Sequence, residues 1–195
     1  MMNMIHLEKK GIRALAIAES FKKSRDKSIL AGVVMRSDLV IDGIIFDTVT
    51  VRGDDATNAI IRIYNNLNRD DINMIMLNGL IISMYNIIDI EEVYKNIKKP
   101  IIALTFEESE GLDDHIKRAF PYNYKRKLEM YHKLGKREEL LLKTGYVIYI
   151  RSKGIDLDDS RRIINKFLLQ GSIPEPIRVA KLIARACLKF ISHEL

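Results

Sequence analysis

The 195-residue sequence contains a single cysteine, Cys187, so no disulfide can form within the chain. A disulfide-stapled secreted scaffold is excluded. Cys187 lies in a helical apolar pattern over residues 179–188 and reads as a small buried hydrophobe rather than a reactive thiol. No apolar run approaches the roughly 18 residues that a bilayer crossing needs, and residues 1–10 are too polar for the core of a secretory signal. The expected address is the cytoplasm, with no membrane partner. A glycine-rich phosphate loop is also missing, since Arg52-Gly53-Asp54-Asp55 does not have the required spacing. His6, His115, His132 and His193 lie far from one another and from any metal-ligand spacing, which argues against zinc. Ser20 has no histidine near it in sequence, so nothing supports a catalytic triad. Repeats, low-complexity runs and dividing linkers are lacking too, and the expectation is one domain over residues 1–195.

What is present is a large apolar fraction, 47%, enough to offset the entropy of ordering a core. The formal net charge is +6 and the pI about 9.3, which permits an anionic partner without requiring one. Residues 12–18, 28–36 and 39–47 are short apolar runs joined by short connections, the pattern of an antiparallel meander. Apolar residues then recur at helical spacing from Ala56 to Leu67, with Asp54 or Asp55 as the expected N-cap. A buried strand over 72–77 follows. Strand, helix and strand in that order imply a crossover and parallel pairing. Residues 80–88 are apolar and ambiguous. Asp89 caps a helix over 90–97, and 100–106 is a further strand. Residues 107–134 read as two helices broken at Pro121, and 145–151 as a late strand. Helices over 157–169 and 177–190 close the chain. The fold class is α/β, a mixed sheet with helices on both faces.

Acidic or amide side chains follow the apolar strands at three places: Glu19 with Ser20, Asp54 with Asp55, and Asn78 with Gly79. Ligand sites in open α/β sheets favour strand ends and helix N-termini. If the first and fourth strands are neighbours, Glu19 and Asn78 are neighbours as well. Together with Asp54 or Asp55 they make an oxygen cluster suited to Mg²⁺ or Mn²⁺, ions that assist phosphodiester cleavage. Ordinary turn and capping roles are the stronger reading of the same residues from pattern alone. Lys22, Lys23, Arg25 and Lys27 form a basic cluster beside Glu19 that can hold the phosphates of DNA or RNA or be a solvated loop; Ser20 and Gly79 are further candidate contacts to a strand. Arg13 and Arg36 read as structural partners for Asp42 or Asp47.

Several separated blocks add a resemblance. Gly11-Ile-Arg13, 17–21, 30–36, Asp42-Gly43, 53–57, Leu77-Asn78-Gly79, 86–90 and 174–180 resemble, in order, a mainly archaeal family classed as domain of unknown function 99. That family is held to be distantly related to endonuclease V. The resemblance implies a ribonuclease H-like fold and a metal-dependent endonuclease acting beside a deaminated base. By the same resemblance Glu19 matches the first acid, Asp54 or Asp55 the second, and Asn78 the third. Asn78 retains an oxygen ligand but cannot act as a base. The aromatic wedge segment of endonuclease V has no counterpart in residues 48–53. Two other readings stay open: a nucleic-acid-binding module without catalysis, and a protein that holds a small anionic ligand between Glu19 and Asn78. The tyrosines at 122, 124 and 131 interleave with Lys125, Arg126 and Lys127, which suits either base stacking or helix packing. The basic positions at 161, 162, 166, 178, 181 and 185 read as the wet faces of the closing helices or as a backbone track.

Overall fold

The computed structural model describes residues 11–193. The polar N-terminal stretch and His6 lie outside them. Strands β1 (Arg13–Ser20), β2 (Lys27–Arg36) and β3 (Ile41–Thr50) form the expected antiparallel meander. Helix α1 (Ala56–Leu67) crosses over to β4 (Met74–Leu77), which pairs parallel with β1. The run 80–88 resolves into a small hairpin, β5 (Ile81–Ile82) and β6 (Asn86–Ile87). Helix α2 (Ile90–Ile97) then leads to β7 (Ile101–Thr105), parallel to β4. After α3 (Asp113–Ala119) and α4 (Tyr124–Lys133) come β8 (Glu138–Leu141) and β9 (Val147–Lys153), with β9 antiparallel to β7. Helices α5 (Leu157–Lys166) and α6 (Glu175–His193) complete the described chain. The main sheet has seven strands in the order β3-β2-β1-β4-β7-β9-β8.

Alternation along β1 divides the core. Ala14, Ala16 and Ala18 face one layer with Phe167, Ile177 and Ala180; Leu15 and Ile17 face the other with Ile60, Ile63 and Val93. Small side chains on β1 and on α6 (Ala180, Ala184) let that helix lie close over β1 and β2. Glu19 continues the Leu15–Ile17 face, so its carboxylate emerges beneath the α1 and α2 layer.

Several expectations change in detail. Residues 138–141 were not expected as a strand; β8 is an edge strand with only Leu140 buried, which leaves almost no alternation to read. Cys187 is half-buried rather than enclosed. Arg13 does pair with Asp42, at 2.5 Å, but Arg36 turns to Asp38 and Asp47 to Arg62. Asp89 caps α2 as expected, accepting from Glu91 and Glu92 N–H at 3.1 and 3.2 Å. At α1 the cap differs. Asp55 occupies the capping position, yet the Asn86 side chain, brought in by β6, accepts the Ala56 N–H at 3.0 Å. No helix among the described residues is long and apolar enough to cross a membrane.

Candidate functional site

The parallel pairing brings the ends of β1 and β4 together. Ile17 pairs with Leu77, and Asn78 N–H donates to the Ile17 carbonyl at 3.0 Å. Glu19, Asn78 and Gly79 border one crevice of about 10 Å³, close to the space of a single water. Gly79 has φ +86, a left-handed conformation that lets the chain turn sharply away after Asn78.

Glu19 is held from above by the β5–β6 turn. Ser83 N–H donates to both carboxylate oxygens, at 2.8 and 2.9 Å, and the Ser83 hydroxyl donates to one of them. Burial pushes the Glu19 carboxyl above its ordinary range, while the Ser83 hydrogen bonds pull it part of the way back. Among the described residues Glu19 has no ion-pair partner. Ser83, Met84 and Tyr85 all have positive φ, at 46, 57 and 72°. Non-glycine residues held there cost of order 1 kcal/mol or more each and persist only where surroundings over-determine them. The surroundings do so here. Ser83 Oγ lies 2.5 Å from Ser28 Oγ, Arg52 N–H donates to Ser83 O at 2.7 Å, and Lys127 Nζ donates to Tyr85 O at 2.9 Å. The Tyr85 ring meets Phe120 edge-on at 6.0 Å.

The two aspartates have partners of their own. Asp55 points back along its loop, accepting Thr50 N–H at 3.0 Å, the Thr50 hydroxyl at 2.8 Å and Asn86 Nδ2 at 2.7 Å. Burial raises the Asp55 carboxyl, but these hydrogen bonds outweigh it and the net shift is downward. Asp54 pairs with Lys127 at 2.5 Å and with Arg126 at 3.5 Å. Lys127 is 2% exposed and also donates to Gly53 O at 2.6 Å. Glu19 and Asn78 therefore border one crevice, whereas Asp54 and Asp55 bind Thr50, Asn86, Arg126 and Lys127. Among the described residues no three acidic, histidine or cysteine side chains form a metal-sized group. The donors at the crevice are one carboxylate and one amide. Such a set fits Mg²⁺ or Mn²⁺ of the kind that keeps several waters and takes its remaining ligands from a substrate phosphate.

The basic loop is only partly free. Lys22 and Lys23 are exposed, but Arg25 donates to the Ile191 carbonyl at 3.0 Å, and Lys27 binds Thr50 Oγ1 at 2.8 Å and lies 3.8 Å from Asp55. Ser20 ends β1 half-buried, opposite Ile29. Sequence reasoning did not single out Ser83 or Lys127 for the site. A serine inside the apolar run 80–88 was the available signal for the first.

Comparison with known proteins gives the family and the fold. The sequence model of the endonuclease dU family matches residues 10–188. The chain belongs to the endonuclease dU family. A UPF0215 protein of Pyrobaculum calidifontis is 40% identical over 180 residues, covering 92% of this chain and 98% of the relative. The fold of this endonuclease dU family member is that of a protein of unknown function from Archaeoglobus fulgidus, with TM-score 0.78 and 24% identity over 90% of this chain and 98% of the other. It is also that of Ciona intestinalis endonuclease V, solved with a 24mer DNA containing an inosine followed by a ribo-adenosine, with TM-score 0.59 and 15% identity over 93% of this chain and 87% of the other. The mixed sheet flanked by helices, expected from the order of elements, is thus the ribonuclease H-like arrangement that the resemblance implied.

Proposed function

We propose that this member of the endonuclease dU family is a metal-dependent endonuclease acting on DNA or RNA beside a deaminated base, dU by the family's description. The observation that carries the reading is the Glu19 carboxylate. It is half-buried at the end of β1, beside Asn78, fixed by Ser83, and without a cationic partner among the described residues. A carboxylate so placed is desolvated without charge compensation, and a divalent cation relieves that cost.

Glu19 and the Asn78 amide oxygen would hold the ion. Bound there, Mg²⁺ or Mn²⁺ supplies an activated water and stabilises the leaving oxygen in phosphodiester hydrolysis. The chain's own contributions are then distinct. Ser83 fixes the Glu19 rotamer, Gly79 lets a strand approach the backbone closely, and Lys22 and Lys23 draw phosphates toward the strand ends. Asp54 and Asp55 shape the site through the turn they support.

Titration calorimetry with Mn²⁺ on wild type and Glu19→Gln, followed by a cleavage screen on strands containing dU or inosine, tests the proposal. Mn²⁺ binding and cleavage that both vanish in Glu19→Gln are the expected result. A wild type that shows no Mn²⁺ binding and no cleavage would overturn it. The second reading, a binding module without catalysis, is favoured by the Lys127–Asp54 pair, which neutralises one of the family-matched acids. It predicts salt-sensitive strand binding that is indifferent to metal.

A further inference from the structure

Beyond Asn78 and Gly79 the crevice gives way to a cavity of about 810 Å³ at the ends of β4 and β7, and cations enter it from three elements. Arg151 projects from β9, Arg137 precedes β8, and Lys181 comes from α6. Arg151 donates through Nε and Nη2 to the Gly135 carbonyl, at 3.1 and 2.8 Å. Arg137 donates to the Glu107 and Ser109 carbonyls, at 2.9 and 3.3 Å, and lies over the Tyr149 ring at 4.8 Å. Lys181 lies over Phe106 at 5.9 Å. Among the described residues none of the three forms an ion pair with a carboxylate. This contrasts with most other arginines of the fold, including Arg13, Arg36, Arg62, Arg69 and Arg178.

Two half-buried guanidinium groups that face one cavity and have no ion-pair partner among the described residues are an arrangement that costs free energy. Burial, and then the neighbouring Arg137 charge, hold the Arg151 guanidinium below its ordinary value. The four glutamates that also line the cavity, Glu107, Glu108, Glu110 and Glu139, are exposed, so water screens them. Arginine's planar fork matches phosphate oxygens two at a time. The cavity volume falls within the range that encloses a nucleotide-sized ligand.

We propose that Arg137 and Arg151, with Lys181, form a phosphate-binding site that holds a nucleotide next to Asn78–Gly79. That the phosphate belongs to a nucleic-acid strand rests on the endonuclease reading above; the anion site itself rests on the cavity and its unpaired cations. The site needs no metal, which separates it from the Glu19 crevice. Tyr149 and Phe106, which also line the cavity, meet two of the cations, Arg137 and Lys181, with their ring faces.

The test is fluorescence anisotropy of a labelled single-stranded 20mer DNA in EDTA across a salt series, with deoxyadenosine monophosphate as competitor. Wild type is compared with Arg151→Met, Arg137→Gln, Arg137→Lys and, as control, Arg185→Gln, an exposed α6 cation outside the cavity. Arg151→Met and Arg137→Gln are expected to weaken binding about tenfold, and each lost phosphate contact to lower the salt slope by about 0.7. Arg137→Lys should recover part of the affinity, and Arg185→Gln should match wild type. Arg151→Met should melt no lower than wild type, because removing an unpaired desolvated charge offsets the lost bond to the exposed Gly135 carbonyl; a merely structural arginine would give a lower melting temperature. Competition by the mononucleotide assigns the site a free phosphate monoester, and its absence assigns a strand diester; both uphold the proposal. Wild-type affinity in both cavity variants, or losses no larger than in Arg185→Gln, would overturn it. Cleavage that depends on Glu19 with unaltered binding in the arginine variants would sink this inference and leave the endonuclease reading standing. Binding that depends on the arginines, without any cleavage, would do the reverse.

Discussion

Ser83 donates its backbone N–H to both oxygens of Glu19, at 2.8 and 2.9 Å, from a turn in which its own φ is +46°. The group that fixes the candidate ligand is itself in a conformation that L-residues avoid. Substitution at 83 separates the two effects. Ser83→Ala removes the hydroxyl contacts to Glu19 and Ser28, retains the strain, and is expected to cost about 1–2 kcal/mol in urea denaturation. Ser83→Gly loses the same contacts but relieves the backbone, so it should be the more stable of the two by about 1 kcal/mol. Equal stabilities would show that the turn is not strained.

Asn86 joins three groups: it accepts Ala56 N–H at the start of α1 and donates to Thr50 O and Asp55. Asn86→Ala leaves the buried helix donor and the half-buried carboxylate short of a partner. A loss of about 2 kcal/mol is expected by chemical denaturation. Asn86→Asp should be worse, because it sets a second carboxylate against Asp55.

Lys127 is the one buried residue of α4. Lys127→Met should cost about 2 kcal/mol, at the low end for a broken pair because the Asp54 side chain is 34% exposed and water can solvate it. The double variant Asp54→Asn with Lys127→Met should recover part of that loss. Strict additivity in the cycle would argue against direct coupling.

At the opposite end of β1, Arg13 and Arg69 share Asp42 and Asp71. Hydrogen bonds from Arg13 and then Arg69 hold the Asp42 carboxyl below its ordinary 3.8, and Arg69 does the same for Asp71. Carboxyls depressed in the folded state contribute stability that is fully present above about pH 4 and is lost as pH falls through their lower folded values. The urea midpoint should therefore drop between pH 5 and pH 2, and Asp42→Asn should flatten that drop. An unchanged pH profile in the variant would exclude Asp42 as a source of the acid sensitivity.

The meander, α1 and the parallel β4 were legible because each is a short apolar run or a helical-period run bounded by polar residues. The neighbourhood of Glu19 and Asn78 followed from that topology alone. Other parts were hidden for physical reasons. The edge strand β8 buries one side chain, and β5 and β6 have two residues each, too few for any period. Asp54 and Asp55 looked alike in sequence, and their separate duties are decided by Thr50, Asn86 and Lys127. Lys127 reaches Gly53 across 74 positions, from a helix whose pattern is otherwise polar. Arg137 and Arg151 are unremarkable in composition; what sets them apart is that neither forms an ion pair among the described residues although exposed glutamates line the same cavity, which only the packed structure displays.

The turn at residues 83–85 draws its partners from β1, β2, the loop at 52–55 and α4. It can reach its final shape only after long loops have closed, and such closures come late in folding. The candidate site is thus timed as well as placed: a chain whose α4 has not docked holds a sheet without a finished Glu19 environment. In a pulsed hydrogen-exchange refolding experiment the Ser83 amide should gain protection after those of β1 and β2, making it a clock for the completion of the Glu19 environment.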